Sequence, residues 1–304
     1  MSPTISRRGF LVSVGAAGAA AWLPRRLAAA PGDIKFGYAA ITWDGNDLQA
    51  IEDVSSVGFK GIQLRAPIVK EYGGRPAALR ELLARHRLTM VALSSGNARI
   101  DPAVEKEEVE KHTRHAKFVR DVGGLYLQLI EERPKGRPIV PADYKRLGQV
   151  LTELGKRTAD LGIPLGYHNH MNSLGERPEE VDAVLEAGDH RYVKFVLDVA
   201  HYQMGGGDPV TAIRKYADRL LFMHIKDLET PVPGATGDLS RSYRFVELGR
   251  GKVNLPAVFA ALDDVRFRGW AVVELDRVPD NARTPKESAI MSREYLQRTL
   301  HFTI

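Results

Sequence analysis

Ile163-Pro164-Leu165-Gly166-Tyr167-His168-Asn169-His170 is a short apolar run that ends in two histidines. Three later runs close in a similar way. Tyr192–Asp198 ends in a carboxylate with His201 three residues on, Leu220–Lys226 carries His224, and Trp270–Leu275 carries Glu274. Short apolar runs between helical patterns read as buried parallel strands, and residues two apart on a strand share a face. His168 and His170 therefore point one way, with Tyr167 and Asn169 opposite. Phe222, His224 and Lys226 share a face, as do Val272, Glu274 and Asp276. In each run the apolar members come first and the polar ones last. A packed barrel interior that opens into a polar mouth produces this gradient.

Outward from these runs the alternation continues. Strand patterns occupy Ile34–Thr42, Gly61–Arg65, Thr89–Ser94, Gly124–Ile130, Ile163–His170, Tyr192–Asp198, Leu220–Lys226 and Trp270–Leu275. Helical patterns occupy Leu48–Val57, Pro76–His86, Ala103–Val122, Ala142–Leu161, Pro178–Ala187, Pro209–Ala217, Leu255–Leu262 and Pro285–His301. Eight strands alternating with eight helices predict a parallel sheet with right-handed crossovers, and at this length a single-domain (β/α)₈ TIM barrel over residues 31–304. An open doubly wound sheet is the alternative. It normally has a glycine-rich phosphate turn after its first strand, and Trp43-Asp44-Gly45-Asn46 is not one, so no nucleotide cofactor is expected. The longest unassigned segment, Leu228–Val253, follows the seventh strand, where a barrel places active-face loops.

The chain is 44% hydrophobic over 304 residues, enough for one large core. Its net charge is +5, but residues 1–30 hold Arg7, Arg8, Arg25 and Arg26 and no acid, so the remainder is near +1. That near-balance offers no strong field for nucleic acid. Ser6-Arg7-Arg8-Gly9-Phe10-Leu11, an Ala/Gly stretch to Leu23 and Ala28-Ala29-Ala30 resemble a twin-arginine export signal. The expected partner is the twin-arginine machinery, and the expected location periplasmic or secreted. Leu11–Leu23 is shorter than the roughly 20 apolar residues of a spanning helix, so no permanent membrane anchor is expected. With no cysteine, disulfides, thiolate nucleophiles and iron–sulfur clusters are excluded.

Four of the nine histidines (His168, His170, His201 and His224) fall at or just past strand ends. His86, His112, His115, His190 and His301 fall in helices or turns and are expected at the surface. A single strand-end histidine is more often a hydrogen-bonding residue than a ligand. Convergence of four strand ends on His168, Asp198, His224 and Glu274 is hard to attribute to chance. Nitrogen and carboxylate donors suit one divalent ion: Mn, Co, Mg, Fe or Zn. An open metal position polarises a carbonyl or vicinal oxygens, and loss of a neighbouring C–H proton also needs a base. His170 and Lys226 are placed as base or charge partner, and His201 as a catalytic group or one that orients a ligand. The bland reading of Lys226 with Asp227 is a solvated ion pair. Glu131, at the end of the fourth strand, reaches substrate or pairs with Arg133. Arg65, Trp43, Asp276 and Arg277 are candidate sugar contacts, with structural roles competing.

From about residue 34 to 304 the chain resembles the xylose isomerase-like barrel superfamily, which groups sugar isomerases, epimerases, inosose dehydratases and related lyases with apurinic endonucleases. The resemblance is carried by Gly166-Tyr167-His168-Asn169-His170, Leu197-Asp198-Val199-Ala200-His201, His224-Ile225-Lys226-Asp227, Leu248-Gly249-Arg250-Gly251 and Val273-Glu274-Leu275-Asp276. It implies a divalent metal, with Mn the first choice, on His168, Asp198, His224 and Glu274. Many members have Glu where this chain has His168. The Tyr-His-x-His form resembles the inosose dehydratase and keto-sugar lyase branch. Without the strand-five glutamate, one base, His170, suits α-proton abstraction followed by β-elimination on an unphosphorylated keto-sugar, keto-glycoside or keto-cyclitol. Isomerisation or epimerisation is the alternative.

Two other classes compete. An apurinic-type nuclease needs extra histidines on strands two and three, which here end Gln63-Leu64-Arg65 and Ser94-Ser95-Gly96-Asn97. A metal-free binding protein on the same barrel is also open, since fold does not fix function. Oligomeric state is not written in the sequence.

Overall fold

The computed structural model describes residues 34–304 except 238 and 240, and the proposed export signal lies outside these described residues. Strand β1 (Lys35–Ala39) pairs in parallel with β2 (Gly61–Arg65) and with the last strand, β10 (Trp270–Val273), which closes the ring. Between them run β3 (Thr89–Ala98), β4 (Tyr126–Glu131), β5 (Leu165–His168), β6 (Val193–Asp198) and β7 (Leu220–Ile225). The expected eight-stranded parallel barrel is therefore what the chain forms. The long segment after β7 is not shapeless. It contains an antiparallel hairpin, β8 (Asp227–Glu229) with β9 (Arg244–Val246).

The helices are α1 (Asp47–Val57), α2 (Ile68–Tyr72), α3 (Pro76–Arg85), α4 (Glu105–Val122), α5 (Pro141–Ala159), α6 (Pro178–Ala187), α7 (Val199–Met204), α8 (Pro209–Lys215), α9 (Leu255–Asp264) and α10 (Pro285–Arg298). Short α2 and α7 are additions to the expected eight. Proline stands in the first turn of α3, α5, α6, α8, α9 and α10. Its preset φ and missing N–H suit that position, which is why these starts are legible. Strand β3 runs four residues past its expected end at Ser94. Its register with β4 shifts between Ser94 and Asn97, with Gly96 at φ +87°, so a bulge hides in what reads as a turn.

Two apolar layers result. Outward-facing Leu64, Leu93, Leu127, Leu129, Tyr167, Leu197 and Val273 join the core under the helices. Inside the barrel, Ala39, Val91, Ala92, Val196, Phe222, Trp270 and Val272 form the plug. A Cβ on Gly61 would stand 2.4 Å from the Trp270 ring, so only glycine lets that indole fill the floor. His112 corrects an expectation. It is fully buried, 2.6 Å from Ser95 Oγ and 3.3 Å from Glu108, because the inward stripe of the highly charged α4 includes it. Among the described residues no helix is long and apolar enough to cross a membrane.

Asp227 secures the long loop. It is buried and accepts backbone N–H groups from Leu228 (2.9 Å), Gly249 (3.0 Å), Gly251 (2.9 Å) and Val253 (3.0 Å). One carboxylate thus joins the start of the loop to its end, in place of the solvated ion pair with Lys226. Asp227→Ala leaves four backbone donors unmatched, those of Leu228 and Val253 buried, and should lower unfolding free energy by about 3 kcal/mol in urea titrations, with Asp227→Asn losing less. A loss under about 1 kcal/mol for the alanine variant would show that the loop ends hold without it.

Candidate active site at the barrel mouth

The ends of β5, β6 and β7 and the residue after β10 bring His168, Asp198, His224 and Glu274 together, one donor atom from each lying within 4.8 Å of the others. His168 Nε2 is 2.8 Å from His224 Nδ1 and 3.6 Å from Asp198 Oδ2. His224 Nδ1 is 3.7 Å from Asp198 Oδ2 and 3.5 Å from Glu274 Oε2. Donors about 2.1 Å from a tetrahedral ion stand roughly 3.4 Å apart, so the spacing fits.

The local sequence commits the other half of three of these side chains elsewhere. Asp198 caps α7, its Oδ1 accepting from the N–H groups of Ala200 and His201 at 2.9 and 2.8 Å. Its buried Oδ2 has no hydrogen-bond partner among the described residues and faces the two imidazoles. His224 donates Nε2–H to Gln63 Oε1 at 2.9 Å, which leaves Nδ1 as the basic nitrogen. Glu274 Oε1 accepts from Lys226 at 3.0 Å, leaving Oε2 toward His224. Asn169 clamps the end of β6, accepting from the N–H of Asp198 at 3.0 Å and donating to its carbonyl at 3.3 Å.

Protonation follows from burial and neighbours. Burial, then the adjacent His224, lowers His168 to about 4. Burial alone would raise Asp198, but His201, Lys226 and the imidazoles hold it well below the usual carboxylate range. Burial opposes ionisation of Glu274 as well, yet His224 and Lys226 bring it down to about 2. Neutral nitrogen and ionised oxygen are the forms a divalent cation needs. These four residues fit such an ion by donor type, by the protonation of His168, Asp198 and Glu274, and by the orphaned Asp198 oxygen.

Lys226 is fully buried, with Nζ 2.6 Å from Asp276, 3.0 Å from Glu274 and 3.9 Å from both Asp198 and the centre of the Phe245 ring. Burial would lower its pKa, but the carboxylates of Glu274, Asp276 and Asp198 outweigh burial and raise it. Of its two expected roles, the geometry supports charge partner. His201 is buried in the first turn of α7, accepts the Met171 N–H on Nδ1 at 3.1 Å and lies 3.2 Å from Lys226. Its ring lies against that of His170, with centroids 3.9 Å apart and the planes tilted by 35°. His170 donates Nδ1–H to the Met171 carbonyl at 2.7 Å, so its Nε2 carries the free lone pair.

His168, His170, His224, Glu274 and Asp276 share a mouth cavity of about 180 Å³ with Arg65, Ser94, Asn97 and Gln128. Larger hollows of about 610, 690 and 640 Å³ lie elsewhere and hold none of the converging donors. Three expected sugar contacts are not in this cavity. Trp43 is buried against Tyr38 and donates its indole N–H to Asp53 at 2.9 Å. Glu131 faces outward from β4, accepting from Ser173 and from the N–H of Gly175, and does not pair with Arg133. Arg277 is exposed outside the cavity. Gln63 and Gln128, which strand-end chemistry does not single out, carry a signal of their own as amides inside the mainly apolar β2 and β4.

Burial raises Glu131 from 4.5 to about 7. The folded state then binds more protons than the unfolded one between those values, so stability from this group falls as pH rises through them. Glu131→Gln should gain on wild type by about 3 kcal/mol between pH 5 and 8 in paired urea titrations; a pH-independent difference would contradict the burial argument. For the cation, mass spectrometry of reloaded protein should find near one equivalent in wild type. Asp198→Ala and His224→Ala should fall below about a tenth, and wild-type binding that low would remove the metal reading.

A family model described as xylose isomerase-like TIM barrel matches residues 51–298. The chain is 29% identical over 298 residues to the rhizopine catabolism protein MocC of Rhizobium meliloti, covering 87% of this chain and 88% of that one. It is 26% identical over 299 residues to an inosose dehydratase of Bacillus velezensis, covering 88% and 97%. A solved IOLI protein with a bound zinc atom superposes with a TM-score of 0.73 at 21% identity, over 89% of this chain and all of that one. With the closed barrel and the family match over most of its length, the chain belongs to the xylose isomerase-like TIM barrel family.

Proposed function

We propose that this chain is a divalent-metal-dependent carbohydrate enzyme. It removes a proton α to the carbonyl of an unphosphorylated keto-sugar, keto-glycoside or keto-cyclitol and then eliminates the β-oxygen substituent. The observation that carries this reading is the pairing of His170 with the four-residue donor ring. His170 Nδ1 is spent on Met171, its Nε2 is free, and it lines the same cavity as His168, His224 and Glu274. The inosose dehydratase relatives support the dehydratase branch.

A metal on His168, Asp198, His224 and Glu274, with Mn the first choice, would supply positive charge against the negative charge that develops on substrate oxygen. His170 Nε2 accepts the α-proton, and the C–H electron pair becomes the enolate double bond. Collapse of the enolate breaks the β-carbon–oxygen bond, and protonated His170 returns its proton to the departing oxygen. Water or an alcohol leaves, with an enone behind. Lys226 keeps Glu274 ionised and holds both Glu274 and Asp276 in place throughout. His201 positions His170 by the contact of their rings. Ser94, Asn97 and Gln128 offer neutral hydrogen-bonding groups to sugar hydroxyls.

Return of the proton to carbon instead of elimination would make the enzyme an isomerase or epimerase. Asp276, also in the cavity, is the second acid–base group that reading requires. Export by the twin-arginine route to the periplasm or beyond belongs to the same proposal and accounts for an unphosphorylated substrate. His170→Ala should keep its metal but lose about 10²–10⁴-fold of α-proton exchange, followed by NMR in heavy water on a panel of inososes and oxidised glycosides. Near-normal exchange in that variant would rule out His170 as the base.

A further inference from the structure

The mouth is divided by charge. The half built from β5, β6, β7 and β10 carries the histidines, Glu274, Asp276 and Lys226. The half built from β2, β3 and β4 offers neutral Ser94, Asn97 and Gln128 and a single cation, Arg65. The carboxylates of the first half already face cations or imidazoles: Glu274 and Asp276 share Lys226, and Asp198 faces His168 and His224. Arg65 is half-buried at the end of β2 and, among the described residues, makes no ion pair or hydrogen bond. Asp47 feels its charge but lies beyond ion-pair distance and does not line the cavity.

The register of β2 sets how far Arg65 stands from the reacting end. Gln63, two residues earlier on the same face, touches His224 at 2.9 Å. Two residues along a strand advance about 6.7 Å, so Arg65 lies one layer further out over the same cavity. A partly desolvated guanidinium presents a planar fork of donors that two oxygens of one anionic group match.

We propose that the ligand of this mouth carries an oxyanion and that Arg65 binds it, which makes the substrate class an acidic sugar. The inference rests on the carbohydrate reading above. It adds a specific end-to-end orientation, with the reacting oxygens at the donor ring and the carboxylate or phosphoryl group at Arg65.

Calorimetric titration of the metal-loaded protein with D-glucuronate, D-glucose and D-glucose 6-phosphate tests it. Wild type should bind glucuronate at least about tenfold more tightly than glucose, and Arg65→Gln should bring that ratio to within about twofold. Arg65→Lys, which keeps the charge without the fork, should retain part of the preference. Tighter binding of the phosphate ester than of glucuronate supports the oxyanion, names its source as phosphoryl and overturns the unphosphorylated substrate of the reading above. Equal or tighter binding of glucose by wild type, or an unchanged ratio in Arg65→Gln, overturns the proposal while leaving the lyase reading intact. Absence of binding by any of the three sugars overturns the acidic-sugar proposal; the lyase reading, whose substrates carry a ketone that none of the three has, is decided by the proton-exchange assay. Proton exchange that His170→Ala leaves near normal, with the acid preference intact, overturns only the reaction.

Discussion

A buried lysine surrounded by carboxylates is the constraint around which the mouth is organised. An unpaired ammonium at the depth of Lys226 would cost several kcal/mol, and so would each unpaired carboxylate beside it. The cost is offset only if Asp276 and Glu274 hold Nζ at 2.6 and 3.0 Å and Asp198 lies nearby. Those carboxylates come from the end of β6 and the segment after β10, and the lysine comes from the segment after β7. Satisfying one charge therefore sets the relative positions of three strand ends, and the donor ring is held in shape by the same contacts.

The division of each side chain into a committed and a free half follows from that arrangement. Asp198 uses one oxygen as a helix cap, Glu274 uses one on Lys226, and His224 uses one nitrogen on Gln63. What remains points inward from three directions. A rigid barrel supplies such alignment at little cost, because every donor sits at the end of a strand whose other residues are locked in the plug or under the helices. The loops are where a related chain would differ. In this one, Asp227 holds the largest of them by four backbone N–H groups.

Much of this was legible because periodicity and chemistry coincide. Proline in the first turn marked six helices, and apolar runs tipped with histidine or carboxylate marked strands five to eight of the barrel. The misses share one cause: a side chain's polarity does not report its depth. His112 sits in a run of charged residues yet faces the barrel, where Ser95 and Glu108 satisfy it. Trp43 is a candidate sugar contact by sequence, with a structural role competing, and its neighbours Tyr38 and Asp53 make it core. Glu131 sits at a strand end like a site residue, but the alternation of β4 sends it outward, toward Ser173 and Gly175.

The sequence by itself determined the barrel, the order of its strands and the convergence of His168, Asp198, His224 and Glu274, because these depend on patterns of period two and on residue type at strand ends. Only the tertiary structure decided which atoms are free. That His170 Nε2 is available, that Lys226 is a locked ammonium and that Arg65 lacks a partner among the described residues all depend on residues remote in sequence, such as Asp276, fifty positions from Lys226. Hydrogen bonds and ion pairs act over a few ångströms. The distances that govern them are set by closure of the barrel, which no local stretch of chain contains.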